Sequence, residues 1–477
     1  MKEQVTDISK VLQDMTVEMR LMRETINQQY AEIAKLNRNI ESLNRQLHKR
    51  DKEIIELKAR LSKYENPEKD SSNSSTPPSK ERMKAEIVRR TKTLRKPSGK
   101  KSGGQVGHKG CKLSCVDSPD EIVDDVSNYC TNCGESLADA ERILDYVTQV
   151  ISIPEIRPII KEIRHYVMIC KNCGERIRTT PRRRSNDVVY DASVKSLVVY
   201  LNVVQFLPYG RIANFLHDVL GLSPSEGSLV NWVNEAKRNA QPIVDKIKEY
   251  IMSSNVVGFD ESGCYCNKRL DWAWIAQTVY YTLLFRANGR SSKVLTEQFG
   301  DSLERMTAVT DRHSAYFALH FLNHQVCLAH LLRELQYLSE LNTNQKWSEQ
   351  VANLFREAIH KRNTNPTDII SKTSWLDKLD SLLKLNISNL GKKFDTFKKG
   401  LIKCRDYICN FLEDPMIPSD NNASERGIRK LKIKLKNSCT FRSDFGADAF
   451  LELHSVVETA KKHNQTPFNA IQALFEV

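Results

Sequence analysis

Three acidic residues occupy positions from which carboxylates can hold divalent metal ions. Asp260 closes the apolar run VVGFD and Asp311 closes TAVTD, and both runs predict buried strands. A side chain at the end of such a strand emerges at the edge of an open α/β sheet, where ligands bind. Glu425 lies in IPSDNNASERGIRK, near the start of a predicted helix for which Asp420 or Asn421 is the candidate N-cap. Three converging carboxylates repel one another unless cations lie between them, and two Mg²⁺ ions about 4 Å apart would support in-line displacement at phosphorus.

Four cysteines have the spacing of a structural zinc site. They form two CxxC pairs, Cys130 with Cys133 and Cys170 with Cys173, each followed by a glycine that permits a tight turn. The segment ILDYVTQVISIPEIRPIIKEIRHYVMI between the pairs predicts β-strands. Four thiolates complete a tetrahedral site without a position for water, so we expect one structural Zn²⁺, with unligated thiols as the alternative.

The N-terminal sequence has no apolar segment or cleavage site of a signal peptide, which predicts a cytoplasmic protein. The chain's 12 cysteines are therefore interpreted as thiols or metal ligands rather than disulfides. Cys111 and Cys115 lack a matching pair, and we expect them to be free thiols. No apolar stretch approaches the roughly 20 residues that span a bilayer, so no membrane partner is expected.

Residues 1–65 have the heptad pattern of a coiled coil. Apolar residues recur at alternating steps of three and four from Val5 to Tyr64, and no proline or glycine interrupts them before Pro67. Branched residues at position a and leucine at position d favour two parallel strands. We therefore predict a parallel homodimer, with a helix packed on the body of its own chain as the alternative. The diagnostic positions are Ile26, Ile33, Ile40 and Ile54 at a, and Leu36, Leu43 and Leu57 at d.

The excess positive charge is concentrated in one window. Lys and Arg outnumber Asp and Glu by 72 to 59 in the 477 residues, a net charge of +13. Residues 80–112 contain 12 Lys or Arg against two acids, which accounts for +10 of that total. Together with the Ser/Pro-rich tract before it, this window predicts a flexible basic linker over residues 66–112. DNA phosphates are the expected partner, with a solvated tether as the alternative. The predicted contacts are Arg89, Arg90, Lys96, Lys100 and Lys101.

The remaining sequence predicts helices, then a mixed α/β sheet. In RIANFLHDVLGLSPSEGSLVNWVNEAKR, Gly221 separates two amphipathic helices and Ser223 is a candidate N-cap, as in a helix-turn-helix. The second helix offers little positive charge, so a plain packing unit is favoured over a DNA-reading helix. Three closely spaced strands follow, then helix, strand, strand and helix. Between Asp311 and Glu425 lie 113 residues, which predicts an all-helical insertion before the final acid.

Several ordered motifs carry a family resemblance. GFDES, TDRHSAY, CLAHLLREL and DNNASER occur in that order, preceded by SSTPPSKER, SGGQVGHKG and the two CxxC pairs. This set closely resembles the DDE transposases of bacterial insertion-sequence family sixty-six, over nearly the whole chain. The resemblance implies the following domains: coiled coil 1–65, basic linker 66–112, zinc-binding β-rich domain 113–185, helical region 186–252, α/β ribonuclease-H-like core 253–340 and 417–477, and helical insertion 341–416.

The resemblance also implies the reaction. Asp260, Asp311 and Glu425 would be the triad that binds two Mg²⁺ or Mn²⁺ ions. Water and then a 3′-hydroxyl would attack DNA phosphodiesters at the element's ends, without a covalent enzyme intermediate. The expected function is binding of terminal inverted repeats as a dimer, with strand cleavage and strand transfer. Small accessory proteins of the same element are possible partners, and the expected location is the bacterial nucleoid.

Two residue choices depend on the motifs. Glu261 adjoins Asp260, and because neighbouring side chains of a strand face opposite ways, only one can join the metal site. We assign Asp260 from its place in the motif.

Cys327 and His330 form a CxxH, with Arg333 beside it, that resembles a possible core motif of several DDE transposases. The alternative is a packed cysteine and a hydrogen-bonded histidine.

A second basic run follows Glu425. Its cations alternate with apolar residues and predict a strand with positive charge on one face, next to the triad, where it would contact DNA; a solvated face is the alternative. The family often has Arg-Lys where this chain has Leu435-Lys436. The predicted DNA contacts are Arg426, Arg429, Lys430, Lys432, Lys434 and Lys436.

Two other functions compete with the transposase. One is a non-catalytic DNA-binding relative that keeps the zinc domain, against which the intact acids argue. The other is a structure-specific nuclease on the same core, which only the analysis of reaction products would distinguish.

Overall fold

A single helix occupies the N-terminus of the computed structural model, which describes residues 2–65, 107, 109, 113–178 and 188–476. Helix α1 runs over Lys2–Glu65, as the absence of proline and glycine predicts. Where its side chains are described, its apolar stripe faces solvent, with Ile33 52% and Ile40 53% exposed. The helix is confirmed, while its pairing with a second copy stays a prediction. Apart from residues 107 and 109, the predicted linker 66–112 lies outside the described residues, as do its DNA contacts Arg89, Arg90, Lys96, Lys100 and Lys101.

The cysteine-rich region contains less strand than predicted. Two short antiparallel strands, β1 (Val167–Ile169) and β2 (Arg176–Arg178), flank the second cysteine pair. The strands expected over residues 143–166 are wrong, because this segment forms no ladder with the other described residues. Its apolar side chains are exposed, Val150 by 89% and Ile159 by 92%.

Three helices precede the sheet: α2 (Ala192–Val203), α3 (Tyr209–Leu220) and α4 (Glu226–Met252). Gly221 ends α3 with a left-handed φ of 64°, as its position in the sequence predicts. Ser225 caps α4 by accepting the Ser228 N–H, so the expected cap Ser223 is wrong. The apolar stripe of α4 is buried, as expected of a packing helix.

Five strands form a mixed sheet: β3 (Val256–Cys266), β4 (Arg269–Gln277), β5 (Thr282–Ala287), β6 (Thr307–Thr310) and β7 (Asn323–Val326). All five strands predicted from the sequence are present. The prediction that Asp260 closes its strand is wrong, because β3 continues six residues beyond it to Cys266. Their order is β5-β4-β3-β6-β7, with β5, β4 and β3 antiparallel and with β6 and β7 parallel to β3. Helix α5 (Ser292–Phe299) connects β5 to β6, and α6 (Leu328–Leu341) follows β7.

The predicted helical insertion is confirmed as helical. It contains α7 (Trp347–Thr364), α8 (Thr373–Lys384), α9 (Lys392–Lys403) and the short α10 (Asn410–Glu413). The chain then forms α11 (Asn422–Ser438), α12 (Asp444–Lys462) and α13 (Pro467–Gln472). Short 3₁₀ turns lie at Gly300–Arg305, Tyr316–Ala318, Ser388–Leu390, Arg405–Tyr407 and Ala473–Phe475.

Successive side chains of a strand face opposite sides of the sheet, so a hydrophobic core forms on each face. Phe259 and Trp274 pack with residues of α4 and α12 on one face of the sheet. Ile275 and Ala273 pack with residues of α11 on the other. Because Asp260 follows Phe259, it belongs to the face that α11 covers. None of the helices described is long and apolar enough to cross a membrane.

Candidate active site

Asp260 and Asp311 lie at the same level of neighbouring parallel strands. The pairing of β3 with β6 aligns Gly258 with Val309, and both aspartates come two residues further along. Adjacent strands are about 4.8 Å apart, so this register brings the two carboxylates together. The Asp260 carboxylate accepts the Glu261 N–H at 2.9 Å, and the Asp311 carboxylate accepts the His313 N–H at 2.8 Å.

The electrostatic environment of Asp260 is unfavourable for a bare carboxylate. Burial raises its pKa well above the usual value, and the negative charges of Glu261, Asp311 and Glu425 raise it further. Within the described part of the chain, neither Asp260 nor Asp311 forms an ion pair. A proton or a cation must therefore compensate this cluster. Three carboxylates without a soft ligand suit Mg²⁺ or Mn²⁺ by donor type.

Glu425 lies in the first turn of α11 and is 9% exposed. Its carboxylate accepts hydrogen bonds from Arg429 at 2.8 Å and from Arg333 at 3.5 Å, and it lies 3.6 Å from the His330 ring.

Two glycines let α11 approach the sheet. A Cβ at Gly258 would lie 2.6 Å from the Ser424 hydroxyl, and one at Gly427 would lie 2.4 Å from the Ile275 Cδ1.

Glu261 faces away from α11. The Arg290 guanidinium lies 2.5 Å from its carboxylate, and the buried Tyr316 hydroxyl donates a second hydrogen bond. Among the described residues, the Glu261 carboxylate therefore has a cationic partner, while the Asp260 carboxylate has none. This placement favours Asp260 as the metal ligand of the pair.

The CxxH motif lies beside the acids. The Cys327 Sγ accepts the Asn421 N–H at 3.2 Å, and burial raises the pKa of this thiol to about 12. His330 has a lowered pKa, mainly because it is buried, and its Nδ1 has no hydrogen-bond partner among the described residues. Cys327, His330 and Glu425 bring one ligand atom each within 4.8 Å of one another. A protonated, hydrogen-bonded thiol fits a packing role for Cys327 better than a metal ligand.

The basic run after Glu425 is helical, so the strand predicted for it is wrong. Residues 426–436 belong to α11 because apolar residues at helical spacing, Ile428, Leu431 and Leu435, pack on the sheet side. Lys430 and Lys434 turn toward the protein, where they contact Glu458 and the Asn202 carbonyl respectively. Lys432 is half-buried, whereas Arg426, Arg429 and Lys436 are exposed.

The two cysteine pairs form matching turns. In the first, the Cys130 carbonyl accepts the Gly134 N–H and the Cys130 N–H donates to the Glu135 carbonyl. Backbone N–H groups of Asn132 and Cys133 point at the Cys130 sulfur and lower its pKa, which favours the thiolate that binds metal.

The second pair repeats this geometry at Cys170 and Cys173, where Gly174 also has a positive φ, of 74°. Each pair therefore fits half of a zinc site. The four sulfurs are not gathered within 4.8 Å of one another in the described part of the chain.

The described fold is an α/β sheet in which β3, the end of β6 and the start of α11 carry an acidic cluster suited to divalent cations. A comparison with protein-family models identifies the family. The model described as Transposase IS66 family matches residues 187–449, more than half of the chain. The chain therefore belongs to the Transposase IS66 family. No curated protein matches the sequence.

Proposed function

We propose that this chain is a DDE-type transposase that cleaves DNA at the ends of an insertion sequence and joins those ends to target DNA. Asp260, Asp311 and Glu425 hold two Mg²⁺ or Mn²⁺ ions. The buried Asp260 carboxylate carries this proposal: burial and the neighbouring negative charges raise its pKa, and the described side chains leave it without a cation. The family membership of residues 187–449 supports it.

The proposal includes a ribonuclease-H-like core. Its support is the sheet order β5-β4-β3-β6-β7, with three antiparallel strands and two further strands parallel to β3. Here the middle of β3 and the end of β6 present their residues to one helix, α11. Asp260 and Asp311 supply oxygen ligands from the strands, and Glu425 supplies them from the helix.

Different residues of the chain have different roles in phosphoryl transfer. Bound divalent ions orient the attacking oxygen and stabilise the leaving oxygen. Arg333 and Arg429 keep the Glu425 carboxylate oriented toward the aspartates. The exposed Arg426, Arg429 and Lys436 leave positive charge at the surface of α11, where DNA phosphates bind.

The N-terminal half supplies DNA capture and pairing. Residues 1–65 form a parallel coiled coil with a second copy, supported by the solvent-facing apolar stripe of α1. Residues 113–185 fold around one zinc ion held by Cys130, Cys133, Cys170 and Cys173, supported by the two matching turns. With the basic linker, this domain holds the terminal repeats, and the dimer brings two DNA ends together.

A strand-transfer assay tests the proposal. Purified full-length protein is incubated with DNA carrying the gene's own flanks, in Mg²⁺ or Mn²⁺, and joined products are separated from cleaved ones. Glu425→Gln should abolish both products while DNA binding persists. Glu304→Gln, the same change at an exposed acid that is not part of the triad, is the control and should leave both intact.

The possible outcomes separate the three candidate functions. Joined products that are lost only in Glu425→Gln support the transposase. Cleavage without joining points to a nuclease on the same core. If the wild type binds DNA without any reaction, even after the neighbouring gene products are added, the chain is a non-catalytic relative.

A further inference from the structure

Asn421 connects the start of α11 directly to β3. Its side-chain Nδ2 donates to the Phe259 carbonyl at 2.6 Å, and its Oδ1 accepts the Ser424 hydroxyl at 2.6 Å. Phe259 immediately precedes Asp260 in the chain. The amide is therefore one peptide unit away from the first acid of the proposed triad.

The backbone of Asn421 reaches the other two acids. Its N–H donates to the Cys327 Sγ at 3.2 Å, and the Cys327 N–H in turn donates to the carbonyl of Thr310, the residue before Asp311. Its carbonyl accepts the Glu425 N–H at 3.1 Å. One residue thus has short hydrogen-bonded connections to the segments that carry all three carboxylates.

The side chain of Asn421 is not used as a helix cap, although it occupies the N-cap position of α11. Asp420 instead accepts the Asn422 N–H at 3.0 Å. Asn421 is 4% exposed, so water does not compete for its hydrogen bonds. The contact is also tight, because a Cβ at Gly258 would lie 2.8 Å from the Asn421 Oδ1.

We propose that Asn421 is a positioning residue that sets the separation of Glu425 from Asp260 and Asp311, and thereby the affinity of the three carboxylates for divalent cations. The inference rests on the proposed function, since it concerns the same acids. Residues that hold metal ligands in place commonly contribute about 10- to 100-fold to metal affinity. A change of that size is expected here, because α11 carries Glu425 only four residues beyond the contact.

Asn421→Asp tests this role with almost no change in shape. The substitution replaces the donating NH₂ group with an oxygen that faces the Phe259 carbonyl, so the contact becomes repulsive. The control is Asn422→Asp, which adds the same charge one residue further along. The Asn422 side chain is half-buried and takes no part in the network around Asn421.

Two measurements separate positioning from a general loss of structure. Binding of Mn²⁺ is followed by electron paramagnetic resonance of the free ion, on full-length protein whose thermal unfolding is recorded in parallel. We expect the Kd for Mn²⁺ to rise about tenfold or more in Asn421→Asp but not in the control. The Mn²⁺ concentration for half-maximal cleavage should rise with it, more than the maximal rate falls.

Gly258→Ala gives an independent perturbation of the same contact. Its methyl group meets Ser424 and Asn421 without altering either side chain, and it should weaken Mn²⁺ binding in the same direction. This second variant keeps the inference testable if Asn421→Asp does not fold.

The inference is overturned if folded Asn421→Asp, or in its absence Gly258→Ala, binds Mn²⁺ as tightly as Asn422→Asp does. It is also overturned if Mn²⁺ binding falls only in proportion to the unfolded fraction. A wild-type chain that neither binds Mn²⁺ nor cleaves DNA refutes the proposed function instead, and the inference falls with it.

Discussion

Replacing the buried Lys434 should stabilise the protein at neutral pH. Lys434 is 6% exposed, its Nζ donates to the Asn202 carbonyl at 3.2 Å, and it lies 5.6 Å from the centre of the Phe450 ring. No described carboxylate pairs with it. Burial lowers the pKa of this lysine from 10.5 to about 8. The charged form is therefore disfavoured in the folded protein relative to the unfolded chain.

The size and sign of the effect follow from the shift in pKa. A fall of the lysine pKa from 10.5 to about 8 means that the charged side chain lowers the free energy of unfolding by about 3 kcal/mol, at roughly 1.4 kcal/mol per pKa unit. The unfolded chain binds the proton more tightly, so this penalty is fully present below about pH 8 and disappears as the pH rises toward 10.5. Lys434→Met removes the penalty but also a hydrogen bond worth about 1 to 2 kcal/mol. The net gain at pH 7 should be about 1 to 2 kcal/mol.

Urea unfolding followed by tryptophan fluorescence measures this difference. All five tryptophans lie within residues 188–476, so the signal reports the part that contains Lys434. Lys436→Met, at an exposed position of the same helix, is the control and should change stability little at any pH. The reasoning is refuted if Lys434→Met is less stable than the wild type at pH 7, or if the difference does not shrink between pH 8 and 10.5.

Three further predictions concern the sheet contact, the zinc site and the dimer. Gly427→Ala should lower the free energy of unfolding in the same urea assay. Overpacking of the new methyl group against Ile275 costs about 1–3 kcal/mol, more than the gain in helix propensity from alanine. Adding Ile275→Val should restore part of the loss, because it removes the Cδ1 that the methyl group meets. Cys133→Ser should abolish the zinc measured by elemental analysis, while the exposed Cys115→Ser keeps one zinc per chain. Without residues 1–65 the protein should sediment as a monomer that retains zinc, and a dimeric truncation would contradict the coiled coil as the dimer contact.

The sequence predicted the sheet because each strand has a local signal. Five apolar runs bounded by turns gave five strands, and Asp311 directly follows the end of β6 as predicted. Asp260 instead lies inside β3, because the ladder with β4 continues to Cys266. Alternation of polar and apolar residues wrongly predicted a strand for LKIKLK, where Lys432 and Lys434 alternate with apolar residues. There the helical stripe of Ile428, Leu431 and Leu435 determines the structure, because packing against the sheet outweighs local alternation.

Long-range contacts set the limit of what the sequence predicts. Asn421 was a candidate helix cap by residue type, but its amide instead meets the Phe259 carbonyl, 162 residues earlier in the chain. The partners of Glu425 were equally hidden, since Arg333 lies 92 residues before it. No local pattern encodes such pairs, so the acids could be predicted individually but not the contacts that hold them.

The close approach of α11 to the sheet explains why small residues precede and follow Glu425. Asn421, Ser424 and Gly427 recur every three residues and form the face of the helix that meets β3 and β4. Gly427 is therefore explained by the Ile275 methyl group beneath it, rather than by a need for backbone flexibility. Because Glu425 follows Ser424 directly, any side chain that separated this face from the strands would also move Glu425 away from Asp260. The packing of the helix and the geometry of the three acids are consequently one property of the fold.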